Sequence, residues 1–188
     1  MNEPSKIADE LELMRYSYVY STTGGVMLAA HESRDQIMHL IGLPTEGTSM
    51  MNVRSDGSEH WIVLDKYFEP GPGIDAVSEA IMHSWASLMC LTMGHRLKES
   101  GLSTRPLFEF VRHLRNAVAH GETFTIDHWK GTAQFDHLII TPDHNGIRLW
   151  DFLTAGDVLA LLDAVILELR AEAVASNQRD APSPLPKE

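Results

Sequence analysis

Apolar residues recur at helical spacing through most of the chain and give way to alternation in one late block. Ile7, Leu11, Met14 and Tyr18 fall at the intervals of an amphipathic helix, which predicts a first helix from Ser5 to about Tyr20. Gly24-Gly25 is expected to interrupt it, and a second helix spans about Val26 to Ile41 before Gly42-Leu43-Pro44 stops it. Residues 44–73 are poorly patterned, with turn signals at Ser55-Asp56-Gly57 and Pro70-Gly71-Pro72-Gly73 and a short strand at Trp61–Leu64. The longest helical pattern runs from Ile74 to Ser100, with Gly101 just past its end. Its charge-free stretch, Ala80 to Gly94, falls short of the roughly 20 apolar residues that span a bilayer, and reads as a buried core helix.

Ser103-Thr104-Arg105-Pro106 combines a cap with a proline in the first turn, and opens a helix through about His120 that Gly121 closes. From Glu122 to Phe152, β-branched and aromatic residues alternate with polar ones. Asp143 to Gly146 is expected to turn the chain between strands Phe135–Ile140 and Ile147–Trp150. Thr154-Ala155-Gly156-Asp157 has the form of a capping box, with Asp in place of Glu, and starts a last helix reaching about Ala175. The tail from Ser176 combines prolines and charges with little to bury, and is expected to be mobile. There is no internal repeat. The pattern predicts a mainly α helical bundle with a small antiparallel β-hairpin before the last helix. One domain covers residues 1–175, with residues 1–73 as N-terminal helices and loop, and a tail follows at 176–188.

Charge narrows the function classes. The 188 residues include 15 basic and 26 acidic ones, a formal net charge of −11, and 44% are hydrophobic. Such a chain folds, but its long-range field repels polyanions, so DNA and anionic membranes are not expected partners. Phosphate chemistry would need a local basic island. One exists between His95 and His120, where Arg96, Lys98, Arg105, Arg112 and Arg115 face only Glu99 and Glu109. Cys90 is the one cysteine, which excludes an intramolecular disulfide and suits a reducing compartment. The opening MNEPSKIADELELMR is acidic and lacks the order of a secretory signal, so a soluble cytoplasmic protein is expected.

On a helical wheel, Leu107, Val111, Leu114, Ala117 and Val118 gather as a core-facing stripe. Arg112, Asn116, Ala119 and His120 gather opposite, with Arg115 at the edge. These residue types suit cleavage of a phosphodiester. Histidine titrates near neutrality and serves as acid or base. Arginine stays charged and grips two phosphate oxygens. Asparagine can orient either one. A single histidine does not easily fill both proton-transfer roles, and a two-fold dimer would supply a second.

Arg115-Asn116-Ala117-Val118-Ala119-His120 resembles the Arg-x4–6-His signature of the HEPN superfamily, with a polar residue after the arginine. The apolar run Phe108 to Leu114, the following Gly121 and the order of long helix, motif helix, strand pair and final helix are similar to that context. The resemblance covers about Ile74 to Ala175 and implies a HEPN-like bundle. It further implies a metal-independent endoribonuclease acting as a homodimer, of the toxin, phage-defence or stress type, with no cofactor. RNA is then the substrate and an antitoxin or regulatory protein a partner. Arg115 would bind phosphate, His120 would be the acid or base, and Asn116 would support them. Arg112 and His113 are candidate RNA contacts. Other members are catalytically silent dimerisation or scaffold modules, and that alternative stays open. The same spacing recurs at Arg34 to His39, but Asp35 beside that arginine would repel a phosphate.

Plainer readings stand beside these. Arg115, Asn116 and His120 also fit a solvated helix face, with a C-terminal histidine complementing the helix dipole. Ten histidines raise a metal hypothesis, yet none forms an H-E-x-x-H or a Cys/His cluster, and no metal site is expected. Cys90 and the set Met82, Met89 and Met93 read as core filling.

Overall fold

Gly24 and Gly25 do not interrupt the first helix. The computed structural model describes residues 3–29, 31–40, 42, 49–63, 74–100 and 105–179. Helix α1 runs unbroken over Glu3–Ala29, and α2 follows at His31–Leu40. A glycine inside a helix costs about 1 kcal/mol against alanine, which a helix of this length tolerates. In the preceding turn the Thr22 hydroxyl donates to the Tyr18 carbonyl at 2.7 Å.

The poorly patterned stretch contains a hairpin. Strand β1 (Ser49–Val53) pairs antiparallel with β2 (Glu59–Val63), in the register Met51 opposite Trp61. The turn signal at Ser55-Asp56-Gly57 acts as expected. Asp56 Oδ1 accepts from the Ser58 amide at 2.9 Å, and Gly57 takes the left-handed φ of +80°. The strand expected at Trp61–Leu64 is therefore real over Trp61–Val63, and Leu64 lies outside the described residues, as do residues 43–48 and 64–73.

Helix α3 spans Ile74–Ser100 and α4 spans Pro106–Ala119, both as the periodicity predicts. Gly101, Ser103 and Thr104 lie outside the described residues, and Arg105 occupies the cap position without a side-chain cap bond. The charge-free part of α3 is one-sided. Ala86, Met89, Cys90 and Met93 are buried, whereas Leu88 on the opposite side is exposed. Burial pushes the Cys90 thiol up to about 12, as suits an inert core side chain.

The late β block differs most from expectation. Strand β3 (Ala133–Phe135) pairs with β4 (Leu138–Ile140) across Asp136-His137, and Asp136 supplies a φ of +50°. The sequence Asp143–Gly146 does not turn between two strands. Pro142 fixes the first position of a 3₁₀ turn over Pro142–His144, capped reciprocally by Thr141 and His144. The expected strand Ile147–Trp150 reduces to a single bridge, Thr123 to Arg148, and helix α5 begins at Leu149 and ends at Phe152. The alternation was genuine, but its partner is the segment after α4: the Phe124 amide donates to the Ile147 carbonyl at 2.9 Å. Helix α6 covers Ala155–Arg179 and opens on the expected box. The Thr154 amide donates to Asp157 Oδ2 at 2.8 Å, and the Asp157 amide donates to Thr154 Oγ1 at 3.3 Å. It continues through Ser176, where a mobile tail was expected, and residues 180–188 lie outside the described ones.

The chain is thus mainly helical with two small antiparallel strand pairs. It divides into two compact units, Met1–Ser17 with His83–Glu188, and Tyr18–Met82. In the first, Ile7, Leu11, Met89, Leu114, Leu161 and Leu162 are fully buried. Arg170 bridges Asp9 at 2.6 Å and Glu12 at 3.0 Å, and Arg15 bridges Asp163 at 2.8 Å, so α6 is tied to the start of α1. In the second unit Met38 is buried, while Trp61, Val53 and Leu40 are exposed. Among the described residues no helix is long and apolar enough to cross a membrane.

A Cβ added at Gly24 would meet no heavy atom within 4 Å. The substitution Gly24→Ala is therefore expected to stabilise the protein by about 0.5–1 kcal/mol, read as a raised urea midpoint at unchanged slope.

Candidate functional site in helix α4

The stripe expected to face the core is broader than the wheel suggests. Val111, Leu114 and Ala117 are buried as expected, and Leu107 and Val118 are half-buried. Phe108 and Phe110 are buried as well, because α4 is covered by β3 and α5 in addition to the helices. Phe110 lies 6.0 Å from Phe135 and 6.3 Å from Phe152, ring to ring. This extra cover reaches polar positions too: Glu109 and His113 are buried.

That places the two candidate RNA contacts differently from expectation. His113 is 2% exposed, and its ring stacks on Trp129 at 5.4 Å between centroids. Arg112 donates through Nε to Glu109 Oε2 at 2.8 Å and bridges the other carboxylate oxygen. The same guanidinium lies 2.9 Å from His113 Nε2 and donates to the His128 carbonyl at 3.2 Å. Burial alone would raise the Glu109 carboxyl, but the Arg112 hydrogen bond and charge outweigh it and hold Glu109 below the usual carboxylate range. Burial, then the Arg112 charge, push the His113 imidazole down, and Glu109 does not cancel them. His113 is thus a neutral core histidine in a charged network, and Arg112 is committed to that network.

The rest of the basic island is largely compensated. Arg96 pairs with Glu10 at 2.5 Å, and Arg105 pairs with Glu168 and Glu172. Arg115 differs. Its Nη1 donates to Asn116 Oδ1 at 3.0 Å, and among the described residues no carboxylate pairs with it. Its stem is set by a residue that wheel reasoning missed. A Cβ on Gly94 of α3 would stand 2.4 Å from Arg115 Cβ and 2.6 Å from its Cγ, so only glycine admits α4 this close. A glycine inside a strong helical pattern was the available signal.

His120 caps α4. Its amide donates to the Asn116 carbonyl at 3.0 Å, and its side chain is exposed, with no hydrogen bond or ion pair among the described residues. Gly121 and Glu122 then take left-handed φ values of +77° and +60°. The second is costly for a residue with a side chain. It is held by the Leu149 amide on the Glu122 carbonyl at 2.8 Å and by the Ser87 hydroxyl on Glu122 Oε1 at 3.2 Å. Asn116 and His120 lie one turn apart on one face, and Arg115 is drawn to that face by its hydrogen bond.

Among the described residues no group of three or more His, Cys, Asp or Glu side chains is arranged to hold a metal ion. His144, near the expected hairpin, caps its own turn, and His137 Nδ1 lies 3.3 Å from Asp136 Oδ2. Comparison with protein-family models, curated proteins and solved structures finds no match to this chain.

Two outcomes are expected. Gly94→Ala should destabilise by about 1–3 kcal/mol, opposite in sign to Gly24→Ala, because the atoms in the way are the base of a side chain rather than its tip. A histidine whose folded value is lowered contributes stability above its unfolded value that is lost on acidification. Wild-type melting temperature should therefore fall as pH drops below about 6.5, and His113→Phe, measured alongside, should flatten that slope.

Proposed function

We propose that this protein is a metal-independent endoribonuclease of HEPN type that acts as a homodimer through the Arg115–Asn116–His120 face of α4. One observation carries the reading: Arg115 is held by a neutral amide, with no carboxylate partner among the described residues, on the helix that ends in an exposed histidine. A guanidinium left uncompensated in so acidic a chain is suited to an anion.

In the proposed reaction His120 takes the proton of a ribose 2′-hydroxyl as the oxygen attacks the adjacent phosphorus. His120 of the partner subunit gives a proton to the departing 5′-oxygen. Arg115 donates to the non-bridging oxygens as charge builds on them, and Asn116 holds the guanidinium in place. The bond to the 5′-oxygen breaks, leaving a 2′,3′-cyclic phosphate and a 5′-hydroxyl.

The test is cleavage of cellular RNA in EDTA by wild type beside identically purified His120→Ala and Arg115→Ala. Wild type should cleave and leave cyclic-phosphate ends. Loss of either side chain should slow cleavage by about 10²-fold or more. Equal cleavage by all three proteins, or ends bearing a free 3′-hydroxyl, would overturn the mechanism.

A further inference from the structure

Resting on the endoribonuclease reading, we infer that Trp129 is the floor of a nucleobase subsite for single-stranded RNA on the face of α4 that carries Asn116 and His120. Trp129 follows α4 in the chain and returns to lie against it. Its indole stacks on His113 at an interplanar angle of 28° and remains 39% exposed. A large aromatic open to solvent is normally mobile, but this one is fixed twice. His113 backs the ring from inside the protein, and Arg112 holds the His128 carbonyl one residue earlier. Glu109 in turn fixes Arg112. The Glu109–Arg112–His113 network thus has an external product, an indole held in one orientation at the surface.

The placement relative to the proposed chemistry follows from helix geometry. Glu109, His113, Asn116 and His120 succeed one another at intervals of four, three and four residues, which sets them along one face of α4. Trp129, seated on His113, therefore shares the face of Asn116 and His120. His113 and His120 are about 10 Å apart along the axis, within reach of neighbouring nucleotides of an extended strand. Lys130 and His128, the chain neighbours of Trp129, are exposed, as is Asp127. An exposed aromatic plane with a lysine next to it in the chain suits the binding of single strands by stacking, without requiring one base.

The experiment uses the full chain carrying His120→Ala, so that bound RNA is not cleaved, and a short fluorescent single-stranded RNA read by anisotropy. Adding Trp129→Ala should weaken binding about tenfold, and Trp129→Phe should restore most of it. An abasic strand of equal length should bind both proteins alike. If Trp129→Ala binds RNA as tightly as its parent while Arg115→Ala binds weakly, the subsite is overturned and the endoribonuclease reading stands. If Trp129→Ala weakens the abasic strand equally, the effect is structural and the subsite is also overturned. If Arg115→Ala costs nothing, or the parent binds no RNA, the underlying reading falls and takes the subsite with it.

Discussion

The close approach of α3 and α4 at Gly94 is the constraint on which the rest of the candidate site depends. The stem of Arg115 fills the volume that any other residue at position 94 would occupy. Backbone contact this tight leaves the guanidinium little freedom at its base, and Asn116 takes up its end. An arginine with a free stem would sample many rotamers, and ordering it on a ligand would cost entropy at that moment. Here the ordering is done in folding. The same antiparallel seam continues at Ser87, which holds Glu122 and with it the left-handed turn that follows His120.

Charge is distributed unevenly over α4 and its surroundings. Four arginines lie between Arg96 and Arg115, and Arg96, Arg105 and Arg112 pair with carboxylates from α1, α6 and α4 itself. Half-exposed pairs of this kind contribute little to stability, and their main effect is to remove positive charge from the surface field. The set of Glu109, Arg112 and His113 is of another kind. Glu109 and His113 are buried and Arg112 is partly exposed, so deleting Arg112 would leave a buried carboxylate unpaired, whereas the intact set rigidifies what it touches. What it touches is the segment bearing Trp129.

Much of the fold was legible from period alone. The limits of α3, the start of α4 at Pro106, the cap at Thr154 and the turn at Asp56 all follow from local rules with local causes. Failures came where one local signal was outweighed by its surroundings. Gly24-Gly25 reads as a break because glycine lowers helix propensity, but a 27-residue helix absorbs that loss. Asp143–Gly146 has the composition of a hairpin turn, yet Pro142 and the Thr141–His144 cap direct it into a 3₁₀ turn. Within the site, the polar face of Arg112, Asn116, Ala119 and His120 was readable on a wheel. That His113 would be roofed by a tryptophan sixteen residues onward was not, since no local rule joins residues 113 and 129.

The first unit is closed by helices far apart in the chain. Arg15 meets Asp163 across 148 positions, and Arg170 reaches Ser5 across 165. Val158, Leu161, Leu162, Val165 and Leu169 of α6 are all buried, and Arg105 at the start of α4 pairs with Glu168 and Glu172 of α6. During synthesis, α4 is therefore made long before the helix that completes its surroundings. Contacts this distant in sequence form late and slowly, because the intervening loop must be closed first. The ion pairs of Arg105 at the start of α4 exist only when α6 has been translated and has docked. An incomplete chain thus carries Gly94, Arg115 and Asn116 but lacks the buried face of α6, so the two halves of this core come into being at different moments of translation.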